Sequence, residues 1–134
     1  MKASVPRELR FVRVVVEPLP NQQCRAVVQI ERQGVGLHTA TAEGGAQELD
    51  LLRTVARATA DAVTEAYAAD GIRVRIRGVQ RVEAFAQIVM VVSVIGSRGT
   101  KTQTLLGVCD ASDDMARGVA LAVLNGTNRF LGTG

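Results

Sequence analysis

Aromatic side chains are scarce in this sequence. Its 134 residues include three Phe, one Tyr and no Trp. The absence of Trp removes the commonest stacking and cation–π platform, which argues against recognition of bases or sugars. The core must therefore be built from Val, Ile, Leu and Ala.

Metal-ligating and nucleophilic residues are equally few. His38 is the single histidine, and Cys24 and Cys109 lack metal-ligand spacing. A zinc site or a Cys-His nucleophile pair is not expected. No acid/base or nucleophile constellation is in view, so we expect neither an enzyme nor a bound metal or cofactor.

Lysine is nearly absent, and Arg carries almost all of the positive charge. The formal net charge is +3 and the pI about 9.4, a mild excess for a nucleic-acid binder. The start, MKASVPRELR, has no apolar core of signal-peptide length, and no run approaches a membrane span. We expect a reduced, cytoplasmic protein without membrane contact.

The length fits one domain. Residues 1–8 are polar and contain Pro6, so they predict a loose lead-in, with a single domain over 9–134. In the first unit, 9–70, apolar alternation predicts strands and a 3.6-residue period then predicts an amphipathic helix. The predicted elements are a strand starting at Leu9, strands over 24–31 and 35–42, and a helix over about 47–68.

The second unit, 71–131, repeats this order. Its first strand alternates Ile72, Val74 and Ile76 with three arginines. The apolar run 85–95 predicts a strand buried on both faces, at a sheet centre or in a subunit interface. A third strand is predicted over 100–106, a turn at Gly107, and a helix that Ser112 caps.

A shift of 64 positions aligns the two units without a gap, and the apolar phase agrees throughout. We therefore predict an α+β fold of two tandem βββα units related by a pseudo-two-fold, each with an antiparallel three-stranded sheet and one helix.

Two segments resemble motifs of a known family. Gly107-Val108, Asp113, Leu124-Asn125 and Asn128-Arg129 are similar to a run G-x-G…D-I-V-x-A-S…A-L-N-R, and residues 42–46 to G-E-G-N-G-P. Both motifs belong to the C-terminal regulatory domain of 2-isopropylmalate synthases and the related citramalate synthases. The resemblance covers about residues 9–131 and implies a homodimer that binds an amino acid or related carboxylate, or regulates a partner enzyme. A catalytic barrel does not fit in this length.

The resemblance places the ligand between the units, at two strand-to-helix turns. The candidate residues are Glu43, Gly44, Gly45, Ala46, Gly107, Val108, Cys109, Asp110 and Ser112. Such turns present free N–H groups to an anion, but their glycines could equally serve turn geometry and their polar side chains helix capping. Cys109 stands where the family has its second Gly, and Asp114 where it has Ile.

Arg73, Arg75 and Arg77 form the sharpest basic feature. On one strand face they could contact phosphates, which makes a nucleic-acid-binding module the alternative function. Arginines on strands are also commonly solvated or paired with acids on neighbouring strands. His38 on a strand is expected to be structural or exposed.

Overall fold

Three strands precede a helix, and the same order then occurs once more. The computed structural model describes residues 8–132, with side chains for 8–131. The elements are β1 (Leu9–Leu19), β2 (Gln23–Arg32), β3 (Gly36–Gly45), α1 (Glu48–Ala66), β4 (Ile72–Ala84), β5 (Gln87–Arg98), β6 (Lys101–Asp110) and α2 (Met115–Gly132). A 3-10 turn over Ala68–Asp70 and a left-handed Gly71 separate the units. The predicted α+β fold of two βββα units is confirmed.

Each unit has its own antiparallel sheet, with strand orders β1-β2-β3 and β4-β5-β6. The first strand of each sheet carries a bulge, between Phe11 and Arg13 in β1 and between Ile76 and Gly78 in β4. A bulge leaves one extra residue unpaired, so Val12 is 36% exposed although simple alternation predicts it in the inner row. The matching bulges show that the repeat extends to strand irregularities.

The helices connect the two sheets. α1 packs on β2 and β3 and reaches across to β4, while α2 packs on β5 and β6 and reaches across to β1. The helices also contact each other, and apolar side chains of both units form one core cluster. This reciprocal packing is what a pseudo-two-fold requires. We call the two crossing contacts the α1–β4 seam and the α2–β1 seam.

An Arg–aromatic contact recurs at the end of each helix. The Arg32 guanidinium lies 3.8 Å from the Tyr67 ring centroid, and Arg98 lies 5.4 Å from that of Phe130. The Tyr67 hydroxyl also donates to the side-chain carboxylate of Glu8. The backbone carbonyl of Glu8 accepts from the Gln33 N–H. The rest of the predicted lead-in, residues 1–7, lies outside the described residues.

The junction before α2 differs from the prediction. Gly107 is not in a turn, because β6 continues to Asp110. Ser112 is not the helix N-cap: its hydroxyl donates to Asp110 Oδ1 (2.8 Å) and accepts from the Ile88 N–H (3.1 Å). Asp114 caps α2 instead, since its Oδ1 accepts from the Arg117 N–H at 3.0 Å. The first helix also ends sooner than predicted, at Ala66.

β5 is the central strand of its sheet, as predicted, but it is not buried on both faces in the single chain. Its inner side chains Met90, Val92 and Val94 are fully buried, whereas the opposite row is only partly covered. Phe85 precedes the strand in a turn with a φ of 51°, and it is 98% exposed. The prediction is wrong for Phe85, because the hairpin turn directs its side chain into solvent.

Between residues 8 and 132, no helix is both long enough and apolar enough to span a bilayer.

Candidate ligand-binding site

The first predicted ligand segment lies at the end of β3 and docks α1. A Cβ on Gly44 would lie 2.2 Å from Thr54 Oγ1, so glycine permits the strand and helix to approach. The carbonyl of Glu43 accepts from Arg57 at 2.9 Å, and its carboxylate accepts two bonds from Arg25. Ala46 donates its N–H to the Gln22 carbonyl. These contacts support the packing interpretation of the two glycines.

The second predicted segment has a similar structural role at α2. A Cβ on Gly107 would lie 1.7 Å from the Ala122 carbonyl oxygen and 2.9 Å from the Gly126 nitrogen. Asn125 Nδ2 donates to the Val108 carbonyl at 2.9 Å. The backbone of β6 is therefore occupied by α2 and does not form an open cradle at Gly107.

The polar residues after Gly107 are engaged with one another. The hydroxyl and N–H of Ser112 donate to the Asp110 carboxylate, and these bonds hold its pKa below the usual value. Burial raises the pKa of the Cys109 thiol, with Arg117 opposing the effect. Cys109 therefore remains a thiol at neutral pH and lacks the lowered pKa of a reactive cysteine.

Among the described residues, no hydrogen bond or ion pair joins residues 43–46 to residues 107–112. Each segment instead fixes the helix of its own unit.

The arginine strand is exposed. Arg73, Arg75 and Arg77 all lie on the surface, and none forms an ion pair with a described carboxylate. Arg77 is the additional residue of the β4 bulge. His38 is mostly buried on β3, with Nδ1 3.9 Å from Glu65 Oε1.

A cleft of about 340 Å³ lies at the α2–β1 seam. It is formed by both repeats, because β1 supplies one wall and α2 the other. The lining residues are Leu9, Arg10, Phe11, Arg117, Leu121, Leu124, Asn125 and Asn128. The cleft therefore combines aliphatic walls with guanidinium and amide groups, the composition that is typical of small-molecule sites.

Within residues 8–131, two polar groups of the cleft lack a partner: the Asn128 amide nitrogen has no hydrogen bond and Arg117 has no ion pair. Asn128 Nδ2 is buried and makes no hydrogen bond to a described residue. Arg117 lies 5.7 Å from the Phe11 ring centroid and forms no ion pair within residues 8–131. Arg10, in contrast, is neutralised by Glu31 at 2.6 Å. Because a buried unpaired donor costs free energy, an acceptor in this cleft would be favoured.

At the α1–β4 seam, hydrogen bonds join the helix to the strand. Thr64 Oγ1 donates to the Val74 carbonyl at 3.2 Å and accepts from the Val74 N–H at 3.0 Å. Thr64 and Asn128 are 64 positions apart, so they are equivalent in the repeat. The same helix position thus joins a neighbouring strand in one unit and borders a cleft in the other.

None of the candidate residues predicted from the sequence lines this cleft, which runs along α2 from Arg117 to Asn128. Asn128 belongs to the segment that resembles the family motif, and the shift of 64 positions aligns Arg117 with Arg53, but neither residue was a candidate. The signal that could have found them is the difference between Thr64 and Asn128 across an otherwise matching repeat. The difference points to a cleft only once the structure shows which strand each helix contacts.

No group of three or more His, Cys, Asp or Glu side chains in the described part of the chain is placed to hold a metal ion. Comparison with models of known protein families and with curated proteins finds no match to the chain.

Proposed function

We propose that this protein is a non-catalytic regulatory domain that binds a small molecule at the α2–β1 seam and acts as a homodimer in the cytoplasm. The observation that carries the proposal is the cleft at this seam, where the Asn128 amide nitrogen makes no hydrogen bond to a described residue. The resemblance of the sequence to a synthase regulatory domain is consistent with this function. The ligand would signal to a partner enzyme through the packing of the two units.

A ligand in the cleft would touch both repeats at once. Its contacts with β1 and α2 would stabilise one relative position of the two units over others, which is the requirement for a regulatory effect. Ligand binding to the folded state also raises stability, by about 2.7 kcal/mol at 100 times the Kd. Thermal stability is therefore a sensitive assay of occupancy.

The test is a thermal-shift screen with amino acids, 2-oxo acids and other small carboxylates. Leu121→Trp fills the cleft, so it should abolish the stabilisation by any active compound. Leu49→Trp is the matched control, because Leu49 is 44% exposed on α1 and does not line the cleft. If no compound stabilises the protein, or if Leu121→Trp responds as strongly as Leu49→Trp, the proposed ligand function is wrong.

The homodimer is proposed from the outer face of the second sheet. This outer apolar face, on the side opposite the helices, consists of Val82, Val89, Val91, Ile95, Leu106 and Val108. Leu106 and Val108 are 54% and 50% exposed. The uncharged Gln80, Ser93 and Thr104 lie on the same face, and two charged residues lie at its ends, Arg75 opposite Ile95 and Asp110 opposite Val89. An exposed apolar face of this size can pair with a second copy of itself across a two-fold axis.

Light scattering tests this association. Leu106→Asp puts a charge into the outer apolar face and should shift the dimer towards monomer. Leu37→Asp is the control, since Leu37 is 57% exposed on the first sheet opposite Glu31 and outside that face. A monomeric wild type, or equal effects of the two substitutions, would contradict the proposed interface.

Nucleic-acid binding is the competing function, and the exposed, unpaired Arg73 and Arg75 favour it. Phosphate contacts by these side chains would give binding to mixed oligonucleotides that weakens steeply with salt. Arg75→Ala should reduce both the affinity and the salt dependence if this function is real. Arg53→Ala, at an exposed position on α1, provides the comparison.

A further inference from the structure

We infer that the seam cleft selects aliphatic carboxylates that lack an amino group, with Asn128 and Arg117 binding the carboxylate. This inference rests on the proposed function and specifies its ligand. It derives from the difference between the two seams: Thr64 satisfies both backbone groups of Val74, while the equivalent Asn128 keeps its amide nitrogen buried and unpaired.

The charge of the lining favours an anion. Two arginines and no Asp or Glu line the cleft. Arg10 is already paired with Glu31, whereas Arg117 has no carboxylate partner among the described residues. Asp114, the residue that caps α2, accepts from the Arg117 backbone N–H. A carboxylate can therefore accept from the free guanidinium and from the Asn128 amide.

The same lining disfavours an ammonium group. A protonated amine in the cleft would lie near the unpaired Arg117 guanidinium, with no lining carboxylate to receive its hydrogens. It would lose hydration without a replacement partner, which is costly for a charged group. The cleft therefore distinguishes a simple fatty or branched acid from the amino acid of the same carbon skeleton.

The apolar walls and the volume define the rest of the ligand. Leu9 and Leu124 are 3% exposed and belong to the core, so they offer a fixed aliphatic surface. Leu121 extends that surface along α2. A volume of about 340 Å³ lies near the lower end of known small-molecule sites, which suits a short-chain or branched acid.

Isothermal titration calorimetry on the full chain provides the test, with 4-methylpentanoate and leucine as a matched pair that differs by one amino group. We expect 4-methylpentanoate to bind at least tenfold more tightly than leucine. The neutral 4-methylpentanamide should also bind at least tenfold more weakly than the acid, because it loses the charge that Arg117 recognises.

Variants locate the site. Asn128→Asp keeps the side-chain shape but replaces the donor with a carboxylate, so it should lower the affinity for 4-methylpentanoate at least tenfold. Arg117→Gln should do the same, while the control Arg53→Gln, at the equivalent position of α1, should leave affinity unchanged. Circular dichroism and thermal melting establish that each variant is folded. If Asn128→Asp does not fold, Arg117→Gln alone provides the test of the site.

Three results would overturn the inference: no binding of 4-methylpentanoate, leucine binding as tightly as the acid, or equal effects of Arg117→Gln and Arg53→Gln. These outcomes differ from failure of the proposed function. A different compound whose stabilisation is abolished by Leu121→Trp would keep the function and refute only the ligand class.

Discussion

Gly107→Ala tests the close contact between β6 and α2. The new methyl carbon would lie 1.7 Å from the Ala122 carbonyl oxygen and 2.8 Å from its carbonyl carbon. Neither atom can turn away, since both belong to the helix backbone, so α2 must move off the sheet. Overpacking of a core usually costs about 1–3 kcal/mol, and a clash with backbone belongs at the upper end or above it.

The matched control is Gly78→Ala in the same sheet. Nothing lies within 4 Å of a Cβ at Gly78, and its φ is not positive. Because alanine restricts the unfolded chain more than glycine does, this change should be neutral or stabilising by up to about 1 kcal/mol.

Thermal and urea unfolding measure both variants. A loss of about 3 kcal/mol corresponds to a fall in Tm of about 10 °C for a chain of this length. If Gly107→Ala melts within about 3 °C of the wild type, the close approach of β6 and α2 is wrong. If Gly78→Ala lowers the free energy of unfolding as much as Gly107→Ala does, the effect is common to glycines in strands and does not report on the contact with α2.

Three further predictions concern polar groups. Tyr67 is the single tyrosine, and its pKa is raised mainly by burial and next by its hydrogen bond to Glu8. The stability that the buried, protonated Tyr67 contributes is therefore complete below the unfolded-state pKa of about 10 and is lost as pH rises further. Absorbance at 295 nm should therefore show no tyrosine ionisation near pH 10 while the fold persists, and ordinary titration in the folded protein would contradict its burial. Ser112→Ala should raise the pKa of Asp110 towards its usual value in a carbon-13 NMR titration, because the hydroxyl hydrogen bond that lowers this pKa is lost; an unchanged titration would refute the assigned cause. Asp114→Ala should cost about 1 kcal/mol in urea unfolding as the loss of an N-cap, and no loss would show that α2 is capped otherwise.

The order of elements could be predicted because it depends on local patterns. Alternation along β4, the turn at Gly71 and the helical period of α1 are each visible within a few residues. The repeat then predicts how the units pair. These features do not require knowledge of which strands and helices touch.

The errors arise where tertiary contacts decide. Gly107 has the appearance of a turn residue, yet it lies in a strand because α2 needs the space that a side chain would fill. Ser112 is a good N-cap by type, but Asp110 and the Ile88 N–H bind its hydroxyl. The cleft could not be predicted from the sequence for the same reason, since Asn128 borders it together with β1, more than a hundred positions earlier.

An NMR titration of the nitrogen-15-labelled protein with 4-methylpentanoate tests the central claim most directly. The account predicts the largest shifts at the Asn128 side-chain amide and the backbone amides of Leu9 and Phe11, with little change at Thr64. Largest shifts at residues 43–46 and 107–112 would contradict it, since they would place the ligand at the two strand ends instead of the α2–β1 seam.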